Sequence, residues 1–206
     1  MKIVSNPCKI MKMTSKIMTR SQKYMDIYRK PTPILIDTTL EHALVTKQIT
    51  NISFMTSCSN NFQKKNMNKT LDETKEELDN IFDVLKNREH MNIKKKLNVC
   101  CITECPIDGK IDIDYILHEI LMYNTKYELD EIRLFDTCGS LKYDDYKYIA
   151  DALIYFGVLR TKIGVNLKMD TNNMNNKNEI NKIVHYSLKN KLKYMIHGFK
   201  QSALKC

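Results

Sequence analysis

The sequence predicts an α/β protein in which crossover helices cover a parallel sheet, and three observations carry that prediction. Short apolar runs rich in β-branched residues alternate with longer segments of helical period. From about residue 90 onward the strand candidates recur at roughly 30-residue intervals, the length of one βα unit. The chain of 206 residues is long enough to bury a core as a single domain over 1–206, and α/β barrels commonly use about 200–250 residues as one unit. A closed barrel and an open doubly wound sheet both satisfy this pattern.

The strands expected are residues 33–36, 52–55, 97–102, 131–135, 163–167 and 192–196, with a further one at 1–4. The clearest helix starts at Thr70, where "TLDE" reads as a capping box. The Thr70 hydroxyl can accept from the backbone N–H of Glu73, and the Glu73 carboxylate can reach back. Leu78, Ile81, Phe82 and Leu85 then fall at i, i+3, i+4 and i+7, one apolar stripe to pack on a sheet. Ile113, Ile116, Leu117, Ile120 and Leu121 repeat the pattern, as do Ile149, Ala152, Leu153 and Phe156. These stripes are core and carry no chemistry. The Asn-rich stretch 170–179, "DTNNMNNKNE", is read as a loop.

Composition excludes more than it selects. A hydrophobic fraction of 43% and a charged fraction of 28% are those of a soluble globular domain. No apolar run approaches the roughly 18–20 residues that span a bilayer, so no membrane partner is expected. The net charge of +9 would attract any polyanion. Basic residues are nevertheless scattered along the chain, and no nucleic-acid module is recognisable, so nucleic acid is the weakest of the partner readings. The basic N-terminal segment 1–30 has Asp26 as its first acidic residue, a trait of organellar transit peptides. Arginine is scarce there, so a cytoplasmic location is expected, with a mitochondrial one as the alternative.

Three of the seven cysteines crowd into "LNVCCITECPIDGKI", residues 97–111. An odd count in a chain of this size favours free thiols in a reducing compartment. Cys100, Cys101 and Cys105 lack the paired C-x-x-C spacing of most zinc sites, and the nearest histidines in sequence are His90 and His118. Cys100 and Cys101 are expected to alternate across a strand and face opposite sides. The Pro-Ile-Asp-Gly that follows has turn chemistry. His42, His90, His118, His185 and His197 are isolated, which assigns them surface or structural roles. No Ser-His-Asp order, phosphate-cradling glycine loop or H-E-x-x-H pattern occurs.

The cysteine segment resembles the hydroxymethylglutaryl-CoA lyase family, whose fifth barrel strand ends in V-x-C-x-x-x-C-P-x-x-G-K-I. Val99, Cys101, Cys105, Pro106, Gly109, Lys110 and Ile111 match that pattern. Upstream, "SNNFQKKNMN" at 59–68 is similar to the family's S-x-x-F-x-K-K-N-x-N segment, and downstream "EIRLFDTCG" at 131–139 is similar to its E-I-x-L-x-D-T-x-G. The three segments come in the family's order, and the resemblance runs from about residue 51 to 140.

The resemblance implies a (β/α)8 TIM barrel that holds a divalent cation such as Mg or Mn at the C-terminal ends of its strands. It implies cleavage of hydroxymethylglutaryl-CoA, a CoA thioester, to acetyl-CoA and acetoacetate. Asp136 matches a family active-site Asp, with a turn or cap carboxylate as the competing reading. Ser59, Lys64, Lys65 and Asn66 match a loop near the substrate, with a solvated basic loop as the alternative. Cys206 falls near a reactive cysteine of the family's lid, though "SALKC" lacks the lid's paired glycines.

The family's cation sits on an Asp of the first strand, an H-x-H pair of the seventh and an Asn after the eighth, and none of these four is found. For the H-x-H pair, "IGVNLKMDT" offers either Leu167 and Met169 or Asn166 and Lys168, according to register. The expectation is thus an incomplete barrel lacking the first strand and the last helix, a catalytically inactive pseudoenzyme with no cofactor. Its open sheet edge would pair with itself or with a partner chain. The alternatives are an active carbon–carbon lyase that takes ligands from a partner chain and a basic nucleic-acid-binding module.

Overall fold

Among the described residues, six strands pair in parallel in one sheet, and their spatial order is their order along the chain. They are β1 (Lys2–Val4), β2 (Asn51–Ser57), β3 (Lys94–Cys100), β6 (Glu131–Phe135), β7 (Ile163–Asp170) and β8 (Lys193–Phe199). A small antiparallel hairpin, β4 (Glu104–Cys105) and β5 (Gly109–Lys110), follows β3. The structure, a computed structural model, describes residues 2–4, 51–87, 92–170 and 172–199. The expected strand 33–36, the rest of segment 1–30, His42, His90 and Cys206 lie outside the described residues. Each new strand adds beside the previous one, whereas a doubly wound sheet reverses its order at a switch point. The topology therefore belongs to a barrel segment. No helix among the described residues is long and apolar enough to cross a membrane.

Helices α2 (Leu71–Lys86), α3 (Ile113–Tyr127), α4 (Tyr143–Tyr155) and α5 (Met174–Lys189) contribute to one continuous core on one face of the sheet. That core takes the alternate residues Ile52 and Phe54 of β2, Leu97 and Val99 of β3, Ile132 and Leu134 of β6, and Ile163, Val165 and Leu167 of β7. All are fully buried. The α2 stripe packs there as its spacing predicts, beneath the capping box, which forms with Thr70 N donating to Glu73 Oε2 at 2.6 Å and Glu73 N donating to Thr70 Oγ1 at 3.1 Å.

Four expectations are corrected. Phe156 is exposed, because α4 stops at Tyr155 in a Schellman turn: Gly157 takes a positive φ, and Val158 N donates to Leu153 O, so Val158 is buried instead. The segment after β2 is a helix, α1 (Asn60–Met67), rather than a loop. Strand β3 ends at Cys100, since Cys101 has a φ of 61°. The supposed loop 170–179 contains the first turns of α5, whose N-cap Asn173 accepts from the N–H groups of Asn175 and Asn176.

The sheet face opposite the helices carries charge. Alternation turns Glu131 and Arg133 away from the helix-side core, and the parallel register sets Lys96 beside Glu131 and Gly164 between Arg133 and Lys193. Glu131 pairs with Arg133 at 2.6 Å, Lys193 at 2.6 Å and Lys96 at 3.0 Å. Gly164 makes room for this cluster, for a Cβ there would stand 3.3 Å from Arg133 Nε and 3.3 Å from Lys193 Cβ. Burial alone would raise the Glu131 pKa, but the hydrogen bond from Lys193 and the charges of Lys96 and Arg133 outweigh it and pull it from 4.5 to about 2. A carboxylate with a depressed folded-state pKa stabilises the fold above its unfolded pKa and loses that contribution as pH falls through the folded one.

Glu131→Gln is accordingly expected to lower the unfolding free energy by about 2–3 kcal/mol at pH 7. The gap between the two proteins closes as pH drops from 4.5 towards 2. Urea denaturation at stepped pH measures both, and a gap that ignores pH contradicts the assignment.

Candidate functional site

Barrel enzymes place their chemistry at the C-terminal ends of the strands. At that end the two family-like motifs after β2 and β3 lock together. The Ser59 hydroxyl caps α1 by accepting from Phe62 N at 3.0 Å, donates to Asp108 Oδ2 at 2.5 Å, and accepts from the Cys105 thiol at 3.1 Å. Asn61 donates to the other oxygen of Asp108 at 2.7 Å. The hydrogen bonds from Ser59 and Asn61 hold the Asp108 carboxyl below its usual pKa. Asp108 thus pins the hairpin to the start of α1, a role that a turn reading of Pro-Ile-Asp-Gly does not reveal. Of the other expected loop residues, Asn66 Nδ2 donates back to Phe62 O at 2.9 Å, and Lys64 and Lys65 lie exposed on α1.

Three of the cysteines lie at this end. Cys100, Cys101 and Cys105 all join one small buried cluster with Met55, Phe62, Met67 and Phe135. Cys100 and Cys101 therefore do not face opposite sides as a strand reading predicts, because the left-handed backbone at Cys101 ends the alternation. Its N–H is taken by Thr137 Oγ1 at 2.8 Å. Burial pushes the Cys101 thiol up strongly and the Cys138 thiol up to about 11, so both are protonated at neutral pH and poor nucleophiles. Among the described residues no group of three or more His, Cys, Asp and Glu side chains is disposed to hold a metal ion.

Asp136 follows β6, where Phe135 ends the strand. Its Oδ1 accepts from the N–H groups of Gly139 at 2.8 Å, Ser140 at 3.0 Å and Leu141 at 3.3 Å. The carboxylate organises the Thr-Cys-Gly-Ser turn. Burial raises its pKa, and these backbone donors only partly offset that rise. Asn176 closes the same region: its Nδ2 donates to Gly139 O at 2.7 Å and Lys168 O at 3.2 Å, while its Oδ1 accepts from Asp170 N at 2.8 Å. Sequence reading missed Asn176 because composition hid it among four other asparagines between 172 and 178. The N-cap preference of Asn173 three residues earlier was the available signal.

Burial on β7 shows which of the two pairs of side chains turns inward. Leu167 is fully buried in the helix-side core and Met169 packs against it, so Asn166 and Lys168 face the barrel interior. Asn166 Oδ1 accepts from Arg133 at 3.3 Å, and Lys168 Nζ donates to Thr137 O at 3.4 Å. In register with Lys168 on β8 stands His197, whose proton affinity is lowered by burial and by the Lys168 charge. A divalent cation needs oxygen or imidazole ligands. An amide already held by an arginine, beside a lysine, does not fit that need. A groove of about 540 Å³, lined in part by Asn92, Lys95, Asp130 and Lys162, lies at the opposite, N-terminal end of the strands.

No protein-family profile matches the sequence, and no curated protein does. Solved structures match the fold. The HMG-CoA lyase of Bacillus subtilis superposes with a TM-score of 0.61 at 18% identity, covering 78% of this chain and 50% of that one. The Brucella melitensis HMG-CoA lyase gives 0.59 at 22% identity over 77% and 52%. The hydroxymethylglutaryl-CoA lyase of Pseudomonas aeruginosa gives 0.60 at 17% identity over 78% and 50%. The chain spans about half the length of these lyases, and at such identities the likeness establishes the fold, an incomplete TIM barrel.

Asp136→Ala removes the acceptor shared by three backbone donors and is expected to cost about 2–3 kcal/mol. Asp136→Asn keeps an oxygen for the turn but gives up the second carboxylate oxygen, while the Lys168 backbone N–H also needs an acceptor here, so its cost is smaller, about 1–2 kcal/mol. Thermal or urea unfolding of the two variants compares them, and equal costs contradict the turn-organising role.

Proposed function

We propose that this chain is a diverged relative of the hydroxymethylglutaryl-CoA lyases in which the metal-dependent cleavage has been lost. One observation carries the reading: the two inward side chains near the end of β7 are Asn166 and Lys168, where the family resemblance calls for a pair of imidazoles. The order of the motifs and the likeness of the fold support the ancestry. A fixed ammonium opposes a divalent cation by like charge, and forfeiting Lewis-acid stabilisation of the developing charge costs several kcal/mol of barrier. Asp136, with one oxygen spent on the turn, is in this reading a structural carboxylate, and Ser59 a structural hydroxyl.

A second reading is favoured by the half-length match: a working carbon–carbon lyase whose remaining ligands come from chain outside the matched part or from a partner. One experiment separates the two. Elemental analysis of the purified protein, with an acetoacetate-release assay on hydroxymethylglutaryl-CoA in added Mg or Mn, is expected to show no stoichiometric cation and no turnover. One cation per chain together with turnover contradicts the proposal and supports the second reading.

A further inference from the structure

We infer that Cys101 and Cys105 form a site for one copper(I) ion, held between their two sulfurs just past the end of β3. The site uses neither Asn166 nor Lys168, so it stands or falls separately from the function proposed above. The left-handed backbone at Cys101 brings its side chain into the same buried cluster as Cys105, and its thiol donates a hydrogen bond to the Cys105 sulfur. The Cys105 sulfur in turn sits in a loop built around it. Ile107 N and Asp108 N both donate to it at 3.3 Å, and its own proton goes to Ser59 Oγ at 3.1 Å. Two N–H groups aimed at one sulfur are the outer-shell support that a metal-bound thiolate uses.

The surroundings select the ion. Met55 and Met67 share the buried cluster with the cysteines and two phenylalanines, so it is rich in sulfur and holds no carboxylate or imidazole. A hard cation would find no oxygen ligands there. Structural zinc takes four ligands, and among the described residues no third His, Cys, Asp or Glu completes a metal-holding group. Copper(I) is the soft ion that thiolates and thioethers select, and two thiolates satisfy it. Each S–H bond breaks as an S–Cu bond forms, two protons leave to solvent, and the copper is neither oxidised nor reduced. Loss of the Cys105 proton orphans nothing, because Ser59 still accepts from Phe62 N at 3.0 Å and donates to Asp108. Burial favours the Cys101 thiol, and the Thr137 hydroxyl, a donor to its sulfur, works the other way; the bound ion displaces the proton outright.

Anaerobic titration of the reduced full chain with copper(I) held by the chromophoric chelator bicinchoninate tests the inference. One copper(I) is expected to pass from chelator to each chain, releasing two protons in weakly buffered solution, and X-ray absorption at the copper edge is expected to show sulfur neighbours only. Cys101→Ser and Cys105→Ser each weaken uptake by more than about a hundredfold, since even outer-shell changes cost about 10–100-fold, whereas Cys138→Ser leaves it unchanged. Should the variants of the pair fail to fold, the spectrum and the proton count of the wild-type protein decide. No uptake by the wild-type protein, a proton count other than two, or oxygen or nitrogen neighbours in the spectrum overturns the inference. So does unchanged uptake in a folded Cys101→Ser, Cys105→Ser double variant, which would show adventitious binding by the remaining thiols.

Discussion

The two-residue alternation of parallel strands, locked by the helix-side core, is the constraint on which the rest of this structure depends. Ile132 and Leu134 of β6 and Ile163, Val165 and Leu167 of β7 are all fully buried beneath the helices, and the register sets Ile132 beside Ile163 and Leu134 beside Val165. A slip of one residue would drive Glu131 and Arg133 into that apolar layer and turn its leucines and isoleucines inward. Nothing in the sheet can shift without paying for it, so the inward identities of Glu131, Arg133, Asn166 and Lys168 are consequences of the outward packing of their neighbours.

From this constraint the interior follows in layers. Near the start of the strands the Glu131 carboxylate is shared among Lys96, Arg133 and Lys193, with Gly164 leaving space between two of them. Conservation of this end in barrels reads as stability rather than chemistry, and here its charges tie three strands together. Above it Asn166 accepts from Arg133, and at the mouth Lys168 and His197 stand side by side. The loops around that mouth are stitched by single polar atoms: Asp136 for the turn after β6, Asn176 for the start of α5, Asp108 for the hairpin after β3. The end of the fold where barrel enzymes hold their chemistry is thus stitched by polar contacts, and the lysine Lys168 stands on its inner face.

Much of this was legible in the residues because it rests on local pattern. The stripe Leu78, Ile81, Phe82 and Leu85, the capping box at Thr70 and the strand 131–135 depend on spacing that any three-dimensional context leaves intact. Single-residue backbone choices were less legible. Cys101 turns left-handed and ends β3 early, and Gly157 ends α4 so that Val158 replaces Phe156 in the core. The asparagines of 172–178 looked alike as composition, yet Asn173 caps and Asn176 bridges. The β7 site was half legible: both pairs of side chains could be written down, but choosing between them needed the helix packed on Leu167.

That choice is the centre of the account, and paired histidines measure it directly. Two histidines on the same inward face of a strand can chelate one Ni2+ ion, as imidazole ligands do, whereas histidines at Leu167 and Met169 would enter the helix-side core and cost several kcal/mol. Calorimetric titration with Ni2+ of the Asn166→His, Lys168→His double variant is predicted to show a saturable 1:1 site in a folded protein, while Leu167→His, Met169→His unfolds or is severely destabilised. A folded Leu167→His, Met169→His protein that binds Ni2+, beside a double variant at 166 and 168 that does not, would contradict the register and the functional reading built on it.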